Sequence, residues 1–176
     1  TRYNDSIVSI VDIEDNKFEK ISQIEIETDE DIQEIYLNSK TLILVGTAYD
    51  FTQESTASGA RLYGADIAYG IGNLFVKVYD ISNAKEPKLV TEYSQQGQYK
   101  NSRMIGTKLY CVSTYYVNVA SDDYKNYCIP KTTINGVCET IPAGCISVIE
   151  DSKSSTYAVI TTLDISKDKA PESEAI

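Results

Sequence analysis

Val78-Tyr79-Asp80-Ile81-Ser82 is the stretch that decides how the rest of this chain is read. It returns as Thr162-Leu163-Asp164-Ile165-Ser166 and, in shorter form, as Ile10-Val11-Asp12-Ile13. Each copy closes an apolar run and opens a polar turn. A strand-and-turn unit that recurs along a chain implies a repeat architecture. Aligned on the aspartates, the preceding residues fall into columns. Val8, Val76 and Ile160 share one, Ile7, Phe75 and Val159 a second, and Val11, Tyr79 and Leu163 a third. These β-branched, aromatic and aliphatic residues read as strands. The runs are apolar on both faces, as expected for strands held between packed sheets.

Charged turns follow the aspartates: Glu14-Asp15-Asn16-Lys17, Ser82 to Pro87, and Ser166 to Pro171. In the second and third copies, proline sits at the same distance from the aspartate, where a strand begins without needing a ladder N–H. Strands are expected next at 19–27, with Ile21, Ile24 and Ile26, and at 88–93. Leu42–Thr47 matches Leu109–Thr114, 67 positions on (109 − 42), and a further strand precedes each, at 32–37 and 99–105. The chain therefore reads as a single domain, 1–176. It holds two four-stranded units, about 17–81 and 85–165, with a leftover strand at 7–13 and a tail that would open another unit. Two insertions interrupt the units, about 51–72 and 116–155. Gly70-Ile71-Gly72-Asn73 lacks the strand-to-helix setting of a phosphate loop and reads as a turn.

Net charge is −10, and residues 1–34 hold eleven acidic against three basic side chains, a local charge of −8. This balance argues against a nucleic-acid partner and an anionic membrane surface, both of which call for basic patches. No apolar run is long enough to span a bilayer. The first residues lack a basic stretch followed by an apolar one, so no signal peptide is read there, and the chain is expected to be a segment of something longer. With no histidine among 176 residues, a zinc site would need all four cysteines, and their spacing lacks paired knuckles. Cys111 lies within a strand and reads as a buried thiol. Cys128, Cys138 and Cys145 fall in the second insertion, where one disulfide among the three is expected with a spare thiol; spacing does not choose the pair.

The run from Val78 to Ser82 with Pro87, then Gly97 to Gly106 with its Ser102-Arg103 pair, then Leu109–Thr114, resembles a family of secreted bacterial β-propeller domains distantly related to WD-40 repeats. Ile141-Pro142-Ala143-Gly144 and Tyr157–Ser166 continue the likeness, which covers about 35–171. The resemblance implies an all-β fold: a partial propeller of about two four-stranded antiparallel blades plus flanking strands. It implies an extracellular setting, secreted or attached to the cell surface, and assigns no reaction. The insertions lengthen the units beyond an ordinary blade of about 40–45 residues. A propeller closes with about four to eight blades, so exposed blade faces and self-association through them are expected.

Each candidate residue has a bland reading beside the sharp one. Asp12, Asp80 and Asp164 recur at strand ends and are read as corner-builders that accept backbone N–H bonds. Arg103 is read as structural, in an ion pair with a carboxylate of the adjacent blade in preference to a place facing the channel. The acidic run Asp29-Glu30-Asp31, with Glu25, Glu27 and Glu34, could offer oxygens to Ca²⁺. It lacks the calcium-loop pattern and is read as a solvated face, so no metal or cofactor is assigned. Fourteen tyrosines and no tryptophan is an unusual balance. Tyr63 and Tyr69 in the first insertion, and Tyr115, Tyr116, Tyr124 and Tyr127 around the second, suit contact with a protein or a glycan. The competing reading has them capping the blade cores. Without histidine, acid–base chemistry would fall to carboxylates, tyrosine or lysine, and no pair is singled out. The expected role is therefore a non-enzymatic binding module at the cell surface. The alternative is part of a propeller hydrolase whose carboxylates lie mostly outside this segment.

Overall fold

The computed structural model of this chain describes residues 7–38, 40–50, 71–117, 129–152, 155–166 and 172–176. Those residues build three antiparallel sheets. The first pairs β1 (Ile7–Glu14) with β2 (Lys17–Glu25). Asp15 and Asn16, both at positive φ (49° and 60°), make the tight turn between them. The second sheet runs β3 (Glu30–Asn38), β4 (Thr41–Asp50), β5 (Ile71–Asp80) and β6 (Lys88–Gln96) in chain order. The third runs β7 (Gln98–Ile105), β8 (Lys108–Tyr116), β11 (Thr156–Asp164) and β12 (Glu172–Ala175). A short hairpin, β9 (Lys131–Ile134) and β10 (Val137–Thr140), adds to the outer edge of the second sheet, with β9 antiparallel to β6.

The repeat period matches the sequence reading, but the sheets divide the chain one strand later than the units 17–81 and 85–165. β2 closes the first sheet instead of opening the second, and β6 closes the second instead of opening the third. A sequence alignment sets a period and leaves its phase free. The connections set the phase. Only Gly97 separates β6 from β7, at φ +107°, and a Cβ there would lie 2.7 Å from the Thr114 carbonyl. So tight a link cannot fold two strands into one hairpin; it hands the chain to the next sheet. The tail likewise joins the third sheet as β12 instead of beginning a new one. Residues 71–73, read as a turn, extend β5 against Tyr49 and Ala48, where Gly72 leaves room for the Thr47 methyl.

Alternating residues of the middle strands serve two cores. Ile43, Val45, Leu74, Val76 and Val78 pack with Tyr93, Leu109, Cys111 and Leu163 between the second and third sheets. Leu42, Leu44, Phe75 and Tyr79 turn the other way, onto Ile24 and Ile26 of the first sheet and its exit. This is why the middles of β4 and β5 carry apolar residues on both faces. Each such fully buried side chain contributes about 1.5–3 kcal/mol of transfer free energy. A third cluster, Tyr115, Ile141, Val159 and Ala175, forms where the second insertion folds back over the third sheet.

Candidate functional site

The antiparallel registers sort every connection to one of two ends. At one end lie the hairpin turns after β3 and β7 and the three Asp-Ile corners. The Asp80 carboxylate accepts the Ser82 N–H at 2.8 Å, and that of Asp164 accepts the Ser166 N–H at 3.2 Å and hydroxyl at 2.7 Å. The Ser82 bonds hold the Asp80 carboxyl below its ordinary range. The following isoleucines complete the corner: Ile81 N–H donates to Lys40 O (2.8 Å) and Ile165 N–H to Thr107 O (3.0 Å), in the turns of the neighbouring hairpins. Asp12 differs, since its carboxylate accepts only from the adjacent Ile13 N–H (2.8 Å) among the described residues.

The opposite end gathers what remains. The connection from β4 to β5, residues 51–70, and that from β8 to β11 both leave it. So do the acidic link between β2 and β3 and the single-glycine link at Gly97. Both insertions thus leave the sheets at the same end, although they are far apart in sequence.

Behind this face lies a charge cluster. Lys77 sits at mid-strand in β5 with its ammonium 2.6 Å and 2.8 Å from the two Glu30 carboxylate oxygens. Both side chains are nearly buried, at 6% and 7% exposed. Glu27 (3.6 Å) and Glu92 (3.8 Å) complete a ring of carboxylates, and the Phe75 ring lies beneath at 5.6 Å. Burial works to lower the lysine pKa, but the Glu30 hydrogen bond and charge outweigh it and hold the ammonium above its ordinary range. Burial pushes the Glu30 carboxyl up, with Lys77 opposing. The pair is mutually satisfied, so its chemistry is that of a strut between β3 and β5. Gly46 makes room for it: a Cβ there would lie 2.1 Å from Asp31 O and 2.8 Å from the Phe75 ring.

A second buried network crosses between the sheets. The Tyr93 hydroxyl bonds Gln95 Oε1 (3.1 Å) and Thr161 Oγ1 (2.9 Å). The Gln95 amide donates to Ser113 Oγ (2.7 Å) and to Val159 O (3.1 Å). Burial pushes the Tyr93 phenol up to about 12. The insertion hairpin is stitched on nearby: Asn135 N–H donates to Glu92 O (2.8 Å), Glu92 N–H to Asn135 Oδ1 (2.9 Å), and Lys131 N–H to Gln96 Oε1 (3.0 Å). An insertion that leaves the third sheet therefore closes the outer edge of the second.

Stacked four-stranded sheets, strands in chain order within each and consecutive sheets joined at one end, define a propeller. A family model described as Beta propeller domain matches residues 1–176. The chain belongs to that family. No curated protein and no solved structure matches it. In propeller terms the second and third sheets each supply four strands of a blade, and β1–β2 form a separate two-stranded sheet beside them.

Within this frame the expected residues separate. Tyr115 is buried and tilted against Tyr157 (centroids 6.5 Å apart), so it caps the third blade; Tyr116, beside it, is 59% exposed at the insertion-bearing end. Tyr63, Tyr69, Tyr124 and Tyr127 lie outside the described residues. Arg103 corrects the expectation of a buried ion pair. It is exposed on β7, opposite Tyr110, on the face of the third blade turned away from the second, and makes no ion pair among the described residues. The register bulge between Tyr99 and Asn101 gives the inward place to Ser102, which is bonded by Tyr36 (2.9 Å). Cys111 is a buried free thiol with its pKa pushed up to about 12 by burial. Cys138 is exposed on β10 and Cys145 half-buried, both free, so the two are not joined to each other; Cys128 lies outside the described residues. No three described Cys, Asp or Glu residues converge as a metal-binding group. No helix is long and apolar enough to cross a membrane.

Lys77, Tyr93 and Gln95 escaped the sequence reading, and Glu30, read there as part of a solvated acidic face, is instead nearly buried against Lys77. Lys77 did leave a signal, as the single charge inside Leu74-Phe75-Val76-Lys77-Val78-Tyr79. The hairpin left a stronger one, Asn135-Gly136 at φ 47° and 83°, the residue pair that two-residue hairpins favour.

Proposed function

We propose that this propeller segment is a non-enzymatic binding module that meets a protein or glycan through its insertion-bearing end, outside the cell or at its surface. The observation that carries this reading is the shared exit of both long insertions. A rigid scaffold with long connections on one face is how loops are presented for recognition. The tyrosine content of those connections supplies amphipathic contact area at low entropy cost. Among the described residues, the charged group behind that face, Lys77 with Glu30, is internally paired and holds strands together. The extracellular setting rests on the family resemblance carried by Val78–Pro87 and Gly97–Thr114.

Glycan and peptide arrays probed with the whole chain, beside a variant whose residues 51–70 are replaced by a short Gly-Ser linker, test the proposal. Binding that is lost in the variant, without turnover of the bound ligands, is expected. Turnover of an array ligand, or binding unchanged by the replacement and by removal of 118–128, would overturn it.

A further inference from the structure

We propose that Val148 and Ile149, in the second insertion, are the anchor by which the insertion-bearing end grips a protein partner, seating in an apolar pocket that the partner rims with lysine or arginine. The inference rests on the reading of that end as a binding face and names the chemistry of what it binds. Val148 is 85% exposed and Ile149 64%, and no other large apolar side chain among the described residues is as open as Val148. Aliphatic side chains scattered singly are ordinary on a surface; a bare pair held side by side marks a place of contact.

Their exposure does not come from an uncovered sheet face. Ile146, just before them, bridges in parallel to Ala175, and the Ser147 N–H donates to Ala175 O (2.8 Å). Ala175 lies on β12, the outermost strand of the third sheet, whose other edge is taken by β11. The pair therefore stands off the rim of that sheet.

The backbone beneath the pair is fixed on both sides. Before it, the Cys145 N–H donates to Pro142 O (2.8 Å) and the Ile146 N–H to Ala143 O (3.2 Å). Cys145 and Ile146 also pack on the cluster of Tyr115, Ile141, Val159 and Ala175. After it, the Ser152 N–H donates to Ile149 O (3.2 Å) and Asp151 takes φ 60°, which turns the chain back towards β11. Side chains offered from a fixed backbone lose little further freedom on docking.

Charge specifies the occupant. From Val137 to Ser152 the chain carries Glu139, Glu150 and Asp151 and no lysine or arginine. Glu150 and Asp151 follow the pair directly, and both are exposed. An apolar tip with an acidic collar is complementary to an apolar pocket with a basic rim. The same chemistry sorts the other occupants. Valine and isoleucine carry no hydrogen-bonding group for the hydroxyls of a sugar. The collar repels an anionic membrane. A second copy would bring two acidic collars together, on a chain of net charge −10.

The test uses the full chain, immobilised, and a phage-displayed library of random peptides as probe. Enriched peptides are then synthesised with a fluorophore and titrated by anisotropy. Sequences that combine apolar residues with lysine or arginine are expected, and their binding should slow amide exchange across Ser147–Ser152. The double variant Val148→Ser/Ile149→Ser alters exposed side chains, so folding is preserved; it should weaken binding about tenfold or more, the cost of losing buried aliphatic contact. Glu150→Gln/Asp151→Asn should weaken it several-fold at roughly 0.05 M salt and by less at roughly 0.5 M, and asparagine accepts the left-handed backbone of Asp151. Ile105→Ser, 58% exposed at the opposite end, should leave binding unchanged. No enriched peptide, or enriched peptides indifferent to Val148→Ser/Ile149→Ser, would overturn the proposal. If such peptides instead lose binding when residues 51–70 are replaced, this anchor falls while the binding role of that end stands. Self-association, or adsorption to phosphatidylcholine vesicles, that Val148→Ser/Ile149→Ser abolishes would also overturn it, by giving the pair another occupant.

Discussion

Replacing Lys77 with methionine is the sharpest perturbation of the strut between β3 and β5. The ammonium is 6% exposed and sits 2.6 Å from a carboxylate that is 7% exposed. Methionine keeps most of the apolar stem but leaves Glu30 buried without its counter-charge. Removing one partner of a buried pair costs about 3–5 kcal/mol. The lower end applies, about 3 kcal/mol, because Glu27 at 72% and Glu92 at 51% exposure open the cluster to water. That is a large share of an ordinary domain stability of about 5–15 kcal/mol. The pH dependence follows from sign. Without Lys77, burial and then the neighbouring Glu27 and Asp29 charges raise the folded pKa of Glu30 above the unfolded value of about 4.3. A carboxyl raised in this way is destabilising at neutral pH, and the penalty is relieved as pH falls through the folded value. Urea unfolding followed by circular dichroism should therefore show a deficit that is full at pH 7 and smaller near pH 5. The double variant Lys77→Met/Glu30→Gln should recover at least half of it. A deficit no larger than that of the exposed control Lys88→Met, or one flat in pH, would refute the strut.

Other consequences follow from the same geometry. Tyr93→Phe leaves Thr161 and Gln95 short of a buried partner and should cost about 1–3 kcal/mol in the same unfolding assay. Wild-type stability should fall as pH rises from about 9 towards 12, because Tyr93 and Cys111, each pushed up to about 12, hold protons that the unfolded chain releases earlier; a flat profile over that window would count against their burial. Gly46→Ala should destabilise by about 2 kcal/mol or more, since its Cβ would meet Asp31 O and the Phe75 ring, measured as a lowered unfolding midpoint. A maleimide or Ellman's reagent should modify Cys138 within minutes at pH 7.5 and leave Cys111 untouched until the chain is unfolded.

Much of the architecture was legible in the chain because the strands that carry Asp80 and Asp164 are each the third of a four-stranded blade. There it needs β-branched residues on both faces and a corner at its end. Asp80 and Asp164 bond to the serines two residues on, and Ile81 and Ile165 tie that corner to the adjacent hairpin, so the phrase recurs wherever the corner does. The phase of the blades was harder to read. A β2 that closes one sheet and a β2 that opens the next have the same composition, and only the length of the links tells them apart. Arg103 misled because one bulged residue, between Tyr99 and Asn101, reverses which side chains of β7 point inward. The strand β9 was hidden because its partner β6 is 35 or more positions away in sequence, although Asn135-Gly136 marked the turn itself. Lys77 and Glu30 are 47 positions apart, and pairing at that distance has no local signature.

The account depends most on how the chain divides into blades and on the second insertion returning to the second one. Cross-strand nuclear Overhauser contacts in the isotope-labelled full chain measure this directly. The account predicts contacts of Tyr93 with both Val76 and Ile134, of Gln95 with Thr132, and of Ile24 with Val8. A ladder between β6 and β7, or between β2 and β3, with no contact from Ile134 to Tyr93, would contradict it.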